Sequence, residues 1–195
     1  MAPADPELRE LVKEMNRSAL AAGFRKEPEK PLEAEGEIFP SAVVPALALN
    51  LAGEKRVFPM KWGFSQRGKL LINARVETAA EKPTFRESWL SHRCVIPASW
   101  YFEWEHDEKK RAGQKYALRP EASGLVRLAG LYRLEDGLPV FVILTRPAAD
   151  SLLWMHDRMP LMLPPDAAEA WIRPQSDPAA IARQCLIGVS WQLAG

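Results

Sequence analysis

The chain has 195 residues, of which 47% are apolar and 26% charged, the balance of one ordinary globular domain with a single sizeable core. A net charge of +1 argues against a general polyanion binder, so any nucleic-acid function must come from a local site. No apolar run approaches bilayer length, and Met1-Ala2-Pro3-Ala4-Asp5 carries no secretory signal, which makes the cytosol the expected location. Two cysteines far apart, Cys94 and Cys185, read as reduced buried thiols rather than a disulfide framework or zinc site.

In chain order, Leu8, Leu11, Val12, Met15 and Ala19 recur at helical spacing, with Asp5 as cap, Pro6 in the first turn and Gly23 at the end. Residues 25–37 read as a solvated loop and 38–49 as an extended segment over a core. Val57 to Phe64 and Leu70 to Val76 are expected strands around an Arg67-Gly68 turn. Thr84-Phe85-Arg86-Glu87 fits a capping box for a short helix through Leu90. Cys94 to Ile96 and Trp100 to Glu105 read as extended, and His106 to Gly113 as a charged hairpin loop. Lys115 to Leu118, Leu125 to Leu134 and Val140 to Thr145 are further strands, the last two joined at Asp136-Gly137. Helices are expected near 148–155, 165–172 and 178–185, the last capped by Asp177. The fold class is α+β, one domain with a mainly antiparallel, barrel-like β-sheet flanked by short helices.

Three stretches hold chemistry. In a strand, Asn73, Arg75 and Glu77 share a face suited to a phosphate or polar substrate, or simply to solvent with a local Arg–Glu pair. Glu103 shares a face with Tyr101 and Glu105, and Trp100, Phe102 and Trp104 occupy the other. A carboxyl in that company would have a raised pKa suited to acid–base work, unless it only faces water. Met155-His156-Asp157-Arg158-Met159-Pro160 lies in a connection, where His156 is a titratable phosphate-binding group or a hydrogen-bonded loop residue. No second ligand cluster supports a metal. His92 and His106 read as surface residues. Trp62, Trp89, Trp154, Trp171 and Trp191 read as core, with Trp62 the one candidate for stacking on unpaired bases.

The order of motifs is more specific than any one of them. Met60-Lys61-Trp62-Gly63-Phe64, Ile72-Asn73-Ala74-Arg75-Val76-Glu77-Thr78-Ala79, Arg93-Cys94-Val95-Ile96-Pro97-Ala98 with Tyr101-Phe102-Glu103-Trp104, Ala129-Gly130-Leu131-Tyr132, Phe141-Val142-Ile143-Leu144-Thr145 and His156-Asp157-Arg158-Met159-Pro160 together resemble the SOS response-associated peptidase family over roughly residues 38–172. The resemblance implies a protein of the DNA damage response that senses abasic sites in single-stranded DNA. Members of that family remove their initiator methionine and trap the open-chain sugar aldehyde as a thiazolidine on the exposed cysteine. By motif match Asn73 would orient the N-terminal amine, Glu103 would shuttle protons, and His156 would contact the sugar or phosphate and assist ring opening. Arg75 would hold a phosphate, Trp62 would stack on a base, and Arg158 would support His156 or a phosphate. The implied partner is abasic single-stranded DNA, bound by a monomer without cofactor, metal or membrane, in the cytoplasm and at the nucleoid.

Family members open Met-Cys-Gly-Arg, whereas this chain opens Met1-Ala2-Pro3-Ala4. Two readings follow: a first strand carrying the cysteine precedes Ala2, or the protein binds without crosslinking. The retention of Asn73, Glu103 and His156 together favours the first. A noncovalent single-stranded DNA-binding module and a Glu/His hydrolase of small molecules or peptides are the competing functions.

Overall fold

A computed structural model describes residues 5–106, 112–121 and 124–194. The first helix, α1 (Pro6–Arg17), begins as its sequence demands. The Asp5 side chain accepts from Glu7 N–H at 2.8 Å and Pro6 occupies the first turn. It stops at Ser18, earlier than expected, and Gly23 lies inside a separate turn, α2 (Ala21–Phe24). Met15 anchors α1 with no exposed surface.

Strands β1 (Val43–Leu49) and β2 (Lys55–Trp62) form an antiparallel hairpin. The expected second pair breaks into β3 (Phe64–Gln66), β4 (Lys69–Leu71) and β5 (Asn73–Arg75). The β3–β4 turn places Arg67 at φ 49° and Gly68 at φ 75°, the mirror-image turn that matches strand twist. The chain then coils into α3 (Val76–Ala79) and α4 (Pro83–Ser91). Thr84 does not cap α4. Lys82 holds the cap position, Pro83 fills the first turn, and Thr84 Oγ1 accepts from Gln66 Nε2 at 2.8 Å.

Next come β6 (Arg93–Ala98), β7 (Tyr101–His106), β8 (Ala112–Pro120), β9 (Val126–Glu135) and β10 (Leu138–Pro147). The tip expected between His106 and Gly113 lies largely outside the described residues, but β7 and β8 pair on either side of it. Asp136 and Gly137, at φ 51° and 79°, turn β9 into β10. The helix expected over 148–155 is only a 3-10 turn, Asp150–Leu152. The chain closes with β11 (Arg158–Pro160), α5 (Pro165–Trp171), α6 (Pro178–Ala182) and β12 (Val189–Leu193), and Asp177 caps α6 through Ala179 N–H at 2.9 Å.

Five strands close a ring: β10 pairs β2, β2 pairs β1, β1 pairs β6, β6 pairs β9, and β9 returns to β10. Only the β10–β2 seam is parallel, so the barrel is mixed and mainly antiparallel. Beyond the seam β5 continues alongside β10, also in parallel, while β11 pairs β10 near its end. A second sheet, β12-β8-β7, stands beside the barrel.

Alternate residues of the barrel strands serve two apolar clusters. Ala46, Cys94, Ile96, Leu128, Phe141 and Ile143 pack with Tyr101, Tyr116 and Leu118 of the second sheet. Val95, Leu131, Val142 and Leu144 pack against Phe85, Trp89 and Trp171 of the helices. Burial on both faces explains the unbroken apolar runs of β6 and β10. Gly130 marks a tight point between β6 and β10. A Cβ there would lie 2.5 Å from Ile96 Cδ1, 2.9 Å from Cys94 Sγ and 3.2 Å from the Val142 carbonyl. Gly130→Ala is therefore expected to cost about 1–3 kcal/mol. An unchanged urea midpoint would contradict that packing.

Candidate functional site

Alternation along β7 sends Tyr101 and Glu103 to the face that meets the barrel, and leaves Phe102 and Trp104 on the other. On that outer face Lys115 Nζ lies 4.4 Å above the Phe102 ring and 5.1 Å from the Trp104 ring, tied to the Glu37 carboxylate at 2.5 Å. The separation of aromatic and acidic faces thus follows the sequence reading. Across the sheet Glu103 is in register with Tyr116, and Tyr101 with Leu118.

The segment after β10 supplies the opposing wall. Met155 N–H bonds the Leu152 carbonyl at 2.9 Å and His156 N–H the same carbonyl at 3.1 Å, while Ala148 N–H reaches Asp157 O at 2.9 Å. This compact loop buries Met155 and half-buries His156. Tyr101, Glu103, Leu118, Leu152, Met155, His156 and Arg158 line one cavity of about 10 Å³, room for a single water-sized group. Its floor is apolar, and its polar groups are a carboxyl, an imidazole, a phenol and a guanidinium.

His156 Nδ1 lies 2.9 Å from Arg158 N–H, 3.2 Å from Arg158 O and 3.2 Å from Asp157 Oδ1. The backbone amide is the shortest of these and can only donate, so it fixes the neutral ring as the tautomer protonated on Nε2. Arg158 is locked in turn. Its Nη1 and Nη2 donate to Glu77 Oε1 and Oε2 at 2.6 and 2.9 Å, and Nη2 also reaches the Thr145 carbonyl at 2.8 Å. That guanidinium holds the Glu77 carboxyl below the usual carboxylate range. Glu77 does not continue the Asn73–Arg75 strand face. It lies in α3, and its bidentate partner is Arg158, 81 residues away. No sequence signal marks that pair.

Asn73 and Arg75 are exposed on β5, in parallel register with Ile143 and Thr145. Trp62 stands opposite Phe141 farther along β10, so Trp62, Asn73 and Arg75 form one row at every second position. The Trp62 indole is half-buried, donates to Ile72 O at 2.9 Å, and lies within 7° of parallel to Phe141. Glu103, His156 and Arg158 therefore meet in one cleft. Trp62, Asn73 and Arg75 rim the neighbouring barrel edge, and Asn73 does not line the cavity.

The tryptophans depart from their default. Trp89 and Trp171 are core, but Trp154 is 43% and Trp191 50% exposed, packed edge-on with Tyr116 at centroid distances of 5.2 and 5.4 Å. His92 is half-buried against Tyr132 rather than solvated. Cys94 is buried and Cys185 half-buried, and both are free thiols. Burial pushes the Cys94 thiol up. Among the described residues, no three His, Cys, Asp or Glu side chains are grouped to hold a metal ion, and no helix is long and apolar enough to cross a membrane.

A mixed five-stranded barrel with short helices, carrying Glu103 and His156 in one cleft beside an exposed Asn73–Arg75 strand, fits the class expected from the motif order. The chain belongs to the SOS response associated peptidase (SRAP) family, whose profile matches residues 8–191. It is 33% identical over 160 residues to the abasic site processing protein YoqW of Bacillus subtilis, covering 73% of this chain and 70% of that one. It is also 33% identical over 122 residues to the abasic site processing protein YedK of Escherichia coli, covering 59% and 54%. Among solved structures, a phage-related protein from Bordetella bronchiseptica superposes with a TM-score of 0.68 at 24% identity, covering 92% of both chains. A protein from Bacteroides thetaiotaomicron gives 0.69 at 20% identity, covering 96% of this chain and 88% of that one. These two likenesses concern the fold.

Proposed function

We propose that the protein recognises abasic sites in single-stranded DNA and reacts with the sugar aldehyde through an amine. The carrying observation is the meeting of Glu103 and His156 over an apolar floor, with exposed Asn73 and Arg75 and half-buried Trp62 in a row alongside. Opening of the abasic sugar exposes an aldehyde, and imine formation needs an amine, an electrophile and a group that gives and takes protons. Glu103 has that chemistry, and the apolar walls strengthen its interactions. His156, held with its proton on Nε2, offers a donor to the sugar or a phosphate. Asn73 orients the amine, and Arg75 and Trp62 hold a phosphate and a base. Relatives named as abasic site processing proteins support this reading.

An N-terminal α-amine suffices for an imine. Closing the thiazolidine also needs a thiol, which the family's Met-Cys-Gly-Arg opening supplies. The test is an abasic oligonucleotide mixed with the protein, run on a denaturing gel with and without borohydride reduction. Reduction is expected to trap an adduct, and prefixing Met-Cys-Gly-Arg is expected to give one that survives without reduction. Salt-dependent binding with no adduct in either version would leave a noncovalent single-stranded DNA-binding module. Arg75→Ala is expected to weaken binding to intact and abasic strands alike, and to lower the slope of log affinity against log salt by about 0.7, one released phosphate contact. An unchanged slope would remove Arg75 from the phosphate path.

A further inference from the structure

The cavity holds two hydrogen-bond donors with no acceptor. Tyr101 is only 9% exposed, and its hydroxyl is buried without a partner. Arg158 lines the same cavity, and its Nε is likewise buried and without a partner, although both Nη groups are committed to Glu77 and Thr145. A buried donor left unpaired destabilises a fold, and such groups are few in native proteins. Phenylalanine would fill the Tyr101 space without that cost. An oxygen acceptor in the cavity would pair that hydroxyl.

Two donors without partners, on residues lining a cavity that admits one water-sized group beside a carboxyl, are suited to stabilise developing negative charge on a carbonyl oxygen. We propose that Tyr101 O–H and Arg158 Nε–H together bind the aldehyde oxygen of the opened abasic sugar, making Tyr101 a catalytic residue. This rests on the reaction proposed above. The amine nitrogen attacks the aldehyde carbon, the C–N bond forms, and the carbonyl π pair moves onto the oxygen held by the two donors. Protonated Glu103 gives its proton to that alkoxide and takes one from the ammonium nitrogen. It then returns that proton to the carbinol oxygen, the C–O bond breaks, water leaves, and the nitrogen lone pair closes the C=N bond. Burial pushes the Tyr101 phenol up, so it remains a donor throughout.

Tyr101→Phe tests the assignment in the full chain, because it removes one oxygen atom and keeps the ring. The measured quantities are the rate of borohydride-trapped adduct with a single-stranded oligonucleotide containing one abasic site, and the thermal midpoint. The expected result is a rate lower by about 10²-fold, with a midpoint equal to or above that of the unaltered protein. Adduct formation at the unaltered rate would overturn the role of Tyr101 alone. A midpoint lowered by several degrees would also overturn it, because the hydroxyl would then be a structural bond. Absence of any adduct from both the unaltered protein and its Met-Cys-Gly-Arg-prefixed version would overturn the functional reading itself, and this site with it.

Discussion

Glu103→Gln is expected to slow adduct formation on an abasic strand by about 10²- to 10⁴-fold without loosening the hold on intact single strands. The change is nearly isosteric. The glutamine carbonyl can keep the 3.2 Å contact from Trp104 N–H, so β7 and its register with Tyr116 stay in place. What disappears is the capacity to give and take a proton inside a cleft floored by Leu118, Leu152 and Met155. Single-turnover borohydride trapping reads the rate, and a titration with an intact oligonucleotide reads the binding. A variant that formed adduct at the unaltered rate would place the proton carrier elsewhere. One that lost both binding and midpoint would make Glu103 a structural group.

The parts of this molecule legible in sequence are those set by local physics. Asp5 and Asp177 cap helices because a short side chain next to Pro6 or Pro178 has little else to bond. Asp136-Gly137 turns a hairpin because two successive positive φ values suit that pair. The apolar alternation of β7 gave Glu103 its face directly. Other features depend on contacts far apart in sequence. The β10–β2 seam closes the barrel in parallel with no marker in either strand. Glu77 looks like the next residue of a strand face, yet β5 ends at Arg75 and the carboxylate turns to Arg158. Thr84 sits in a good capping pattern and is claimed instead by Gln66 from the β3–β4 hairpin. Trp154 and Trp191 satisfy one another edge-on at the surface, so their exposure could not be inferred from size alone. The site was legible mainly through motif order. That order puts Asn73, Glu103 and His156 in one cleft, whereas Glu103 and His156 line one cavity and Asn73 stands outside that lining.

The largest stability effect is expected at Arg93. Its side chain is 2% exposed. Nε donates to the Trp171 carbonyl at 2.6 Å, Nη1 to Trp89 and Leu90 at 2.6 and 2.8 Å, and Nη2 to Arg173 and to Ser176 at 3.3 Å. Trp89 and Leu90 belong to the last turn of α4, and Trp171 and Arg173 to the end of α5 and just beyond. One guanidinium thus satisfies the orphan carbonyls of two helix ends, where the helix dipoles also favour positive charge. The planar fork of arginine suits this role, whereas lysine would bring one point charge and three donors to five acceptors. Burial lowers the pKa of Arg93, with Asp177 opposing that shift, yet arginine stays charged at any working pH. Arg93→Met keeps much of the apolar stem and strands the carbonyls. With several buried carbonyls left unpaired at about 1–3 kcal/mol each, the expected cost is about 3–5 kcal/mol, a large share of the roughly 5–15 kcal/mol that holds a domain. At about 2–4 °C per kcal/mol for a chain of this size, the midpoint falls on the order of 10 °C. Arg93 lies on the helix side of β6, away from the Glu103 cleft, so the folded fraction is expected to form adduct at the unaltered rate. Glu103→Gln and Arg93→Met are therefore opposites, one silent in the melt and loud in the gel, the other the reverse. A midpoint for Arg93→Met within a degree or two of the unaltered protein would mean the helix ends are held by other contacts.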